Sequence, residues 1–218
     1  MTINTNCKYA GIGEAVIFLD GRFNYQKDRF GKALSKEPGT AGMAFVAVWQ
    51  RKEKECESFY GSRGIERTLA GRQNLLAGCF ALDAVLKEIK TGDWKSSGIQ
   101  RVVLKTRDNY LYQGVADGRL FIWEMHEWMV KKDGTITERA NRDLWEDMAD
   151  TLNEYRDRGM KVAAQLLHQE KYPILSTLEA NPITLALEAS NGTDLMKDRW
   201  FEETFGGAGK KCWPEAGA

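Results

Sequence analysis

Three stretches of the chain end in side chains able to do chemistry. Glu14 to Asp20 reads E-A-V-I-F-L-D, an apolar run that closes on a carboxylate just before Gly21. Gln100 to Thr106 reads Q-R-V-V-L-K-T and runs straight into Arg107 and Asp108. Lys161 to Leu167 is followed by His168. A carboxylate serves as general base or pairs with a cationic group. A guanidinium clamps carboxylate or phosphate through its rigid fork, and an imidazole shuttles protons near neutral pH. Plainer readings stand beside these. Asp20 caps a turn, Arg107 and Asp108 form a surface ion pair, and His168, like His126, is an ordinary polar surface residue.

The elements that must position these groups follow from pattern. Glu14 to Asp20, Gly42 to Trp49 and Glu57 to Tyr60 read as an antiparallel meander, with Pro38-Gly39 as a turn. Leu75, Cys79, Leu82, Leu86 and Ile89 recur at steps of three and four, which predicts a helix with one buried face, ended by Thr91-Gly92. Gln100 to Thr106 is the fourth strand, and Asn109 to Val115 a short helix. Leu120 to Met129 is aromatic-rich, and Lys131 to Gly134 is a turn. Asn141 to Arg158 is a helix with Leu144, Met148, Leu152 and Tyr155 on one face, closed by Gly159. Lys161 to Leu167 is the fifth strand. Thr177 to Ala189 is the last helix, with Pro182 in its first turn or breaking it. The order is β-β-β-α-β-α-α-β-α. It predicts an α/β fold with a mixed five-stranded sheet, three antiparallel strands then parallel ones, and helices on both faces. Residues 1–13 read as an N-terminal extension, 14–190 as the domain, and 191–218 as a C-terminal extension, partly flexible.

Composition narrows the partners. The 218 residues carry 31 basic and 31 acidic side chains, so the formal net charge is zero. A dedicated non-specific nucleic-acid binder carries a basic excess, because phosphate contacts dominate its affinity. Neutrality argues against strong duplex binding and leaves room for a local basic patch; Lys131-Lys132 and Lys210-Lys211 are short runs that solvent covers. No apolar run reaches the ~18 residues of a membrane span, and the polar Met1 to Lys8 lacks a signal-peptide core. Cys7, Cys56, Cys79 and Cys212 are scattered without a C-x-x-C pair, which reads as reduced thiols of a cytoplasmic protein.

The order of elements resembles the ribonuclease H fold, and particular segments carry the likeness. I-F-L-D-G at Ile17 to Gly21 is similar to that family's first strand. N-L-L-A-G-C-F-A-L at Asn74 to Leu82 resembles its first helix, and V-V-L-K-T-R-D-N-Y at Val102 to Tyr110 its fourth strand. The tryptophan-rich stretch from Trp123 ends Asn141-Arg142-Asp143-Leu144-Trp145, similar to the family's Asn-x-Asp-Leu-Trp, with a fungal-type flavour overall. The resemblance spans roughly residues 14 to 190.

The resemblance implies two divalent metals held by four carboxylates that hydrolyse RNA in RNA–DNA hybrids. Position by position, that set is dismantled. Asp20 keeps the first carboxylate. The helix glutamate falls on Asn74, and the fourth-strand aspartate on Arg107, or on Asp108 after a shift of one residue. The last aspartate falls on Ile183 or Leu185. Glu66, Glu179 and Glu188 are carboxylates that could be recruited, although their spacing does not require it. We therefore expect neither a metal nor a cofactor. In the altered cleft, Asp20, Asp108 and His168 are the candidate catalytic residues, and Asn74, Arg107 and Glu188 the candidate substrate-binding ones.

Three functions compete at this stage, and the first is favoured, because the cleft carries Asn and Arg in place of Glu and Asp rather than small inert residues. One is a repurposed enzyme that transfers an acyl group from aminoacyl-tRNA to form an amide or a cyclic dipeptide, as cyclodipeptide synthases do, or that acts on another small molecule. The second is an inactive pseudo-nuclease that binds tRNA, another structured RNA, or protein. The third is a ribonuclease H with a rebuilt metal site. None implies a membrane, and none predicts the oligomeric state. Trp123, Trp128 and Trp145 read more simply as packing than as a base-stacking platform.

Overall fold

A computed structural model of the chain describes residues 9–27, 29–34, 37–52, 55–95, 97–116, 118–168, 180–192 and 195–196. Three strands open it: β1 (Glu14–Asn24), β2 (Gly39–Lys52) and β3 (Glu55–Thr68). Helix α1 (Gln73–Thr91) leads to β4 (Arg101–Thr106), and α2 (Asn109–Ala116) and α3 (Arg119–Met125) follow. A hairpin of β5 (Met129–Lys132) and β6 (Thr135–Glu138) precedes α4 (Arg142–Asp157). Then come β7 (Lys161–Leu166), α5 (Pro182–Asn191) and β8 (Leu195–Met196).

The main sheet runs in the order β7-β4-β1-β2-β3-β8. β1, β2 and β3 pair antiparallel, whereas β4 joins β1, and β7 joins β4, in parallel. This is the mixed five-stranded sheet expected from the sequence, with the two-residue β8 added in parallel to the outer edge of β3. Parallel neighbours require crossover connections, and α1 and the α2-to-α4 segment supply them.

β1 explains its own composition. Ala15, Ile17 and Leu19 join the core under α1 and α4, and Val16 and Phe18 join a second, smaller core to which Ile183 and Leu185 of α5 also contribute. A strand buried on both faces reads as continuous apolar sequence rather than as alternation. Both layers come very close to the sheet at glycines. A Cβ on Gly21 would sit 2.4 Å from the Gln73 carbonyl oxygen at the start of α1, and one on Gly42 would sit 1.8 Å from the Ala186 carbonyl oxygen of α5.

The periodic reading of the first helix holds: Leu75, Cys79, Leu82 and Leu86 are buried and Ile89 packs against the same core. Gly159 closes α4 with φ +74. Other readings need correction. The third strand extends far beyond Glu57 to Tyr60, because an edge strand has no need of a continuous apolar run. The aromatic-rich Leu120 to Met129 contains helix α3, which ends in a turn where Glu127 and Trp128 adopt φ of 53 and 62. The last helix starts at Pro182 and not at Thr177: proline is in its first turn, and the Asn181 side chain caps it by accepting a hydrogen bond from the Ile183 amide at 2.9 Å. Residues 177–179, with Glu179, lie outside the described residues, as do Cys7, Cys212 and most of both extensions. Cys79 is buried, and burial pushes its thiol well above its usual range.

The Asn141 to Trp145 motif is a joint between layers. Asp143 receives both Arg72 terminal nitrogens, at 3.0 and 2.6 Å, and the Asn141 side chain accepts a third bond from Arg72 at 3.2 Å. Arg72 is only 2% exposed. Trp145 meets the rings of Tyr110 and Trp123 edge-on, each at 5.1 Å, and its indole N–H donates to the Tyr110 hydroxyl at 3.0 Å. Arg139 stacks over Trp123 at 4.0 Å. These tryptophans are packing.

Two outcomes follow. Arg72→Ala strands Asp143 and empties a buried site, and should lower unfolding stability by about 3 kcal/mol, read by chemical denaturation; a loss below about 1 kcal/mol would mean that the pair is not the joint described. Asp83 concerns pH. Burial, more than the neighbouring Asp147 and Glu154, raises its carboxyl above the ordinary 3.8, despite a bond from Thr151. The folded state therefore holds the Asp83 proton more tightly than the unfolded chain does. The resulting stability is complete below 3.8 and is lost as pH rises through the folded-state value. Asp83→Asn should melt higher than the unsubstituted protein at pH 7, with the advantage vanishing near pH 3; equal melting at pH 7 would contradict this.

Candidate functional site at the strand ends

The parallel register of β1 and β4 sets Phe18 beside Lys105. Two residues further along each strand, Asp20 and Arg107 come level and on the same face. Asp20 is 3% exposed. Its Oδ1 accepts a 3.1 Å hydrogen bond from the Arg107 Nε and a second, short one from Nη2. Its Oδ2 lies 3.0 Å from the Nε of Arg22, an ion pair whose two atoms are not aligned as a hydrogen bond. One buried carboxylate is thus flanked by two guanidiniums.

Asn74, at the start of α1, ties the neighbouring groups together. Its side-chain oxygen accepts from the Gly21 amide at 3.0 Å, and its Nδ2 donates to the Asp108 Oδ2 at 3.1 Å. The close approach of α1 at Gly21 makes this bridge possible. The other Asp108 oxygen accepts from the Leu111 amide at 2.7 Å, and the Asp108 amide donates to the Thr106 hydroxyl oxygen at 3.0 Å. Asp108 is therefore the N-cap of α2, where a carboxylate satisfies a free amide and meets the positive end of the helix dipole.

The structure brings Asp20, Asn74, Arg107 and Asp108 to the same end of β1 and β4 as two adjoining bonded sets, Asp20 with Arg107 and Asn74 with Asp108. His168 follows β7 at the same end of the sheet, where the Leu167 amide donates to the Thr106 carbonyl at 2.7 Å. Its imidazole is exposed and has no hydrogen bond to the cluster. Glu188 lies exposed on α5. Glu66 is exposed on β3, beyond β2. Ile183 and Leu185 pack into the smaller core, so α5 brings no carboxylate from those positions. Sequence reasoning missed Arg22. Its signal was the two-residue period of a strand, which puts residues 20 and 22 on one face.

One carboxylate, Asp20, is flanked by two guanidiniums, and the other, Asp108, bonds to the Asn74 amide and the Leu111 amide; with two acids and two bases, the set is neutral without any external ion. A pair of divalent cations needs several anionic oxygens with open lone pairs. Here one Asp20 oxygen accepts twice from Arg107, Asn74 is uncharged, and Asp108 is engaged by a helix and an amide. Among the described residues no group of three or more His, Cys, Asp or Glu side chains could hold a metal. These residues do not fit a two-metal centre.

Asp108→Ala should cost about 1 kcal/mol through loss of the helix cap, or a fall of about 3 °C in Tm for a chain this size. An unchanged melting point would remove the capping role.

No family profile matches the chain, and no curated protein is similar to it. Solved structures are similar. One is LC9-RNase H1, described as a type 1 RNase H with the type 2 active-site motif: identity is 17%, the likeness covers 88% of this chain and 80% of that one, and the TM-score is 0.56. The foamy viral protease-reverse transcriptase in complex with an RNA/DNA hybrid is similar at 16% identity over 87% of this chain and 22% of that one, with a TM-score of 0.54. A structure of the same viral protein with double-stranded DNA gives 16%, 86% and 98%, with a TM-score of 0.50. With the strand order and crossovers described above, these likenesses show that the chain has a ribonuclease H-like fold.

Proposed function

We propose that this chain is a metal-independent pseudo-nuclease, a ribonuclease H-like protein that binds structured RNA without cleaving it. The carrying observation is the guanidinium of Arg107 paired with the Asp20 carboxylate. A cation built into the protein takes the oxygen that a catalytic metal would need. Each candidate catalyst inside the cluster also has an internal partner, Asp20 two arginines and Asp108 an amide and a helix end. That arrangement favours binding over proton transfer. The nucleic-acid partner is supported by fold alone, since similar solved structures were determined with an RNA/DNA hybrid and with double-stranded DNA. Binding of this kind is weak at physiological salt, because the chain has no net positive charge.

A hybrid-cleavage assay with magnesium or manganese tests the reading. Neither the unsubstituted protein nor Asp20→Asn should release product, while fluorescence anisotropy with a folded RNA such as tRNA should show binding that weakens as salt rises. Metal-dependent cleavage abolished by Asp20→Asn would restore the nuclease and end this proposal.

One observation favours acyl transfer from aminoacyl-tRNA as a second reading. The Asp20 Oδ2 is buried and lacks an aligned donor. An amine replacing the partly exposed Arg22 head group would supply that donor; Asp20 would take its proton as the amine attacks the aminoacyl ester carbonyl, and would return that proton to the tRNA hydroxyl oxygen as the ester C–O bond breaks. Incubation with aminoacyl-tRNA should in that case yield an amide or cyclic dipeptide by mass spectrometry, without added metal and dependent on Asp20; absence of product leaves the binding function alone.

A further inference from the structure

A groove of about 420 Å³ opens at the end of the sheet opposite Asp20, where β7 begins. Two glycines create it. Gly114 is buried, and a Cβ there would meet the Trp145 ring at 2.3 Å, so α2 lies directly against that indole. Gly118, with φ +64, precedes α3, which packs against α4 through Trp123 and Trp145. The gap left between these helices and β7 is lined by Val115, Leu120, Phe121, Leu152, Met160 and Val162.

Its rim is charged. Arg156, in the last turn of α4, Lys161, the first residue of β7, and Glu124 of α3 line the groove together with its apolar residues. All three are exposed, and none has a side-chain ion pair or hydrogen bond among the described residues. Phe121 borders the groove yet is 61% exposed, a large apolar surface left in water. The volume falls within the roughly 300–1,000 Å³ of ligand clefts. Two unshared cations beside an apolar floor complement an anion that carries an apolar body, and Glu124 disfavours a second negative group.

We propose that this groove binds a small amphipathic monoanion, a carboxylate with an aliphatic or aromatic body. The body covers Phe121 and the floor, and the carboxylate meets Arg156 and Lys161. The site shares no residue with the Asp20 cluster and does not depend on the function proposed above.

Dodecanoate, titrated below its micelle concentration into the full chain and followed by calorimetry, is the probe. Saturable binding at a single site is expected. The double substitution Arg156→Glu, Lys161→Glu should weaken it about fivefold or more, the size of two exposed ion pairs. Phe121→Ser should weaken it independently, and neutral dodecanol should bind the unsubstituted protein no better than dodecanoate binds the double variant. The three side chains are exposed, and circular dichroism checks that each variant is folded. Absence of saturable binding overturns the proposal. So does a double variant that binds dodecanoate undiminished, or dodecanol binding as tightly as dodecanoate.

Discussion

Burial of β1 on both faces is the constraint on which the rest of the structure depends. A strand sandwiched between α1 and α4 on one side and α5 on the other has no solvent to offer a charge. Any carboxylate on it must be neutralised by the protein or by a bound ion, because an unpaired buried charge costs several kcal/mol. Asp20 meets that requirement through Arg107 and Arg22, and parallel pairing of β1 with β4 is what delivers Arg107 to the right level. The chemistry of the cleft is thus a consequence of sheet register.

A second anchor lies on the other side of α1. Arg72 precedes that helix and is clamped by Asn141 and Asp143 at the start of α4. Asn74, two residues later, bridges Gly21 and Asp108. The beginning of α1 is therefore held both by α4 and by the ends of β1 and β4. The polar cluster and the aromatic core around Trp145 are positioned by a shared element.

Much of this was legible in the sequence, for physical reasons. The helix period of Leu75 to Leu86, the doubly buried run of β1 and the helix-closing Gly159 each leave a local pattern. The cluster of Asp20, Asn74, Arg107 and Asp108 was legible because strand ends and a helix start converge in this fold. Arg22 was overlooked, because the apolar run ends at Asp20 and only the continuation of β1 past Gly21 puts residue 22 on the same face. Arg72 escaped because its partners are some 70 residues away in sequence. The Asn141 to Trp145 motif was visible, while its work as a clamp and aromatic wedge needed three dimensions. Helix α3 was hidden because seven residues give too little period to separate helix from aromatic loop.

The pairing of Asp20 with Arg107 ties the two positions together. Neither residue can change alone without cost. Losing the carboxylate leaves two guanidiniums without their shared anion, and placing an acid at position 107 sets two carboxylates together with only Arg22 beside them. Each residue has made the other hard to replace. A change at one position is tolerated only with a matching change at the other, so the internal ion pair couples two positions that lie 87 residues apart in the chain.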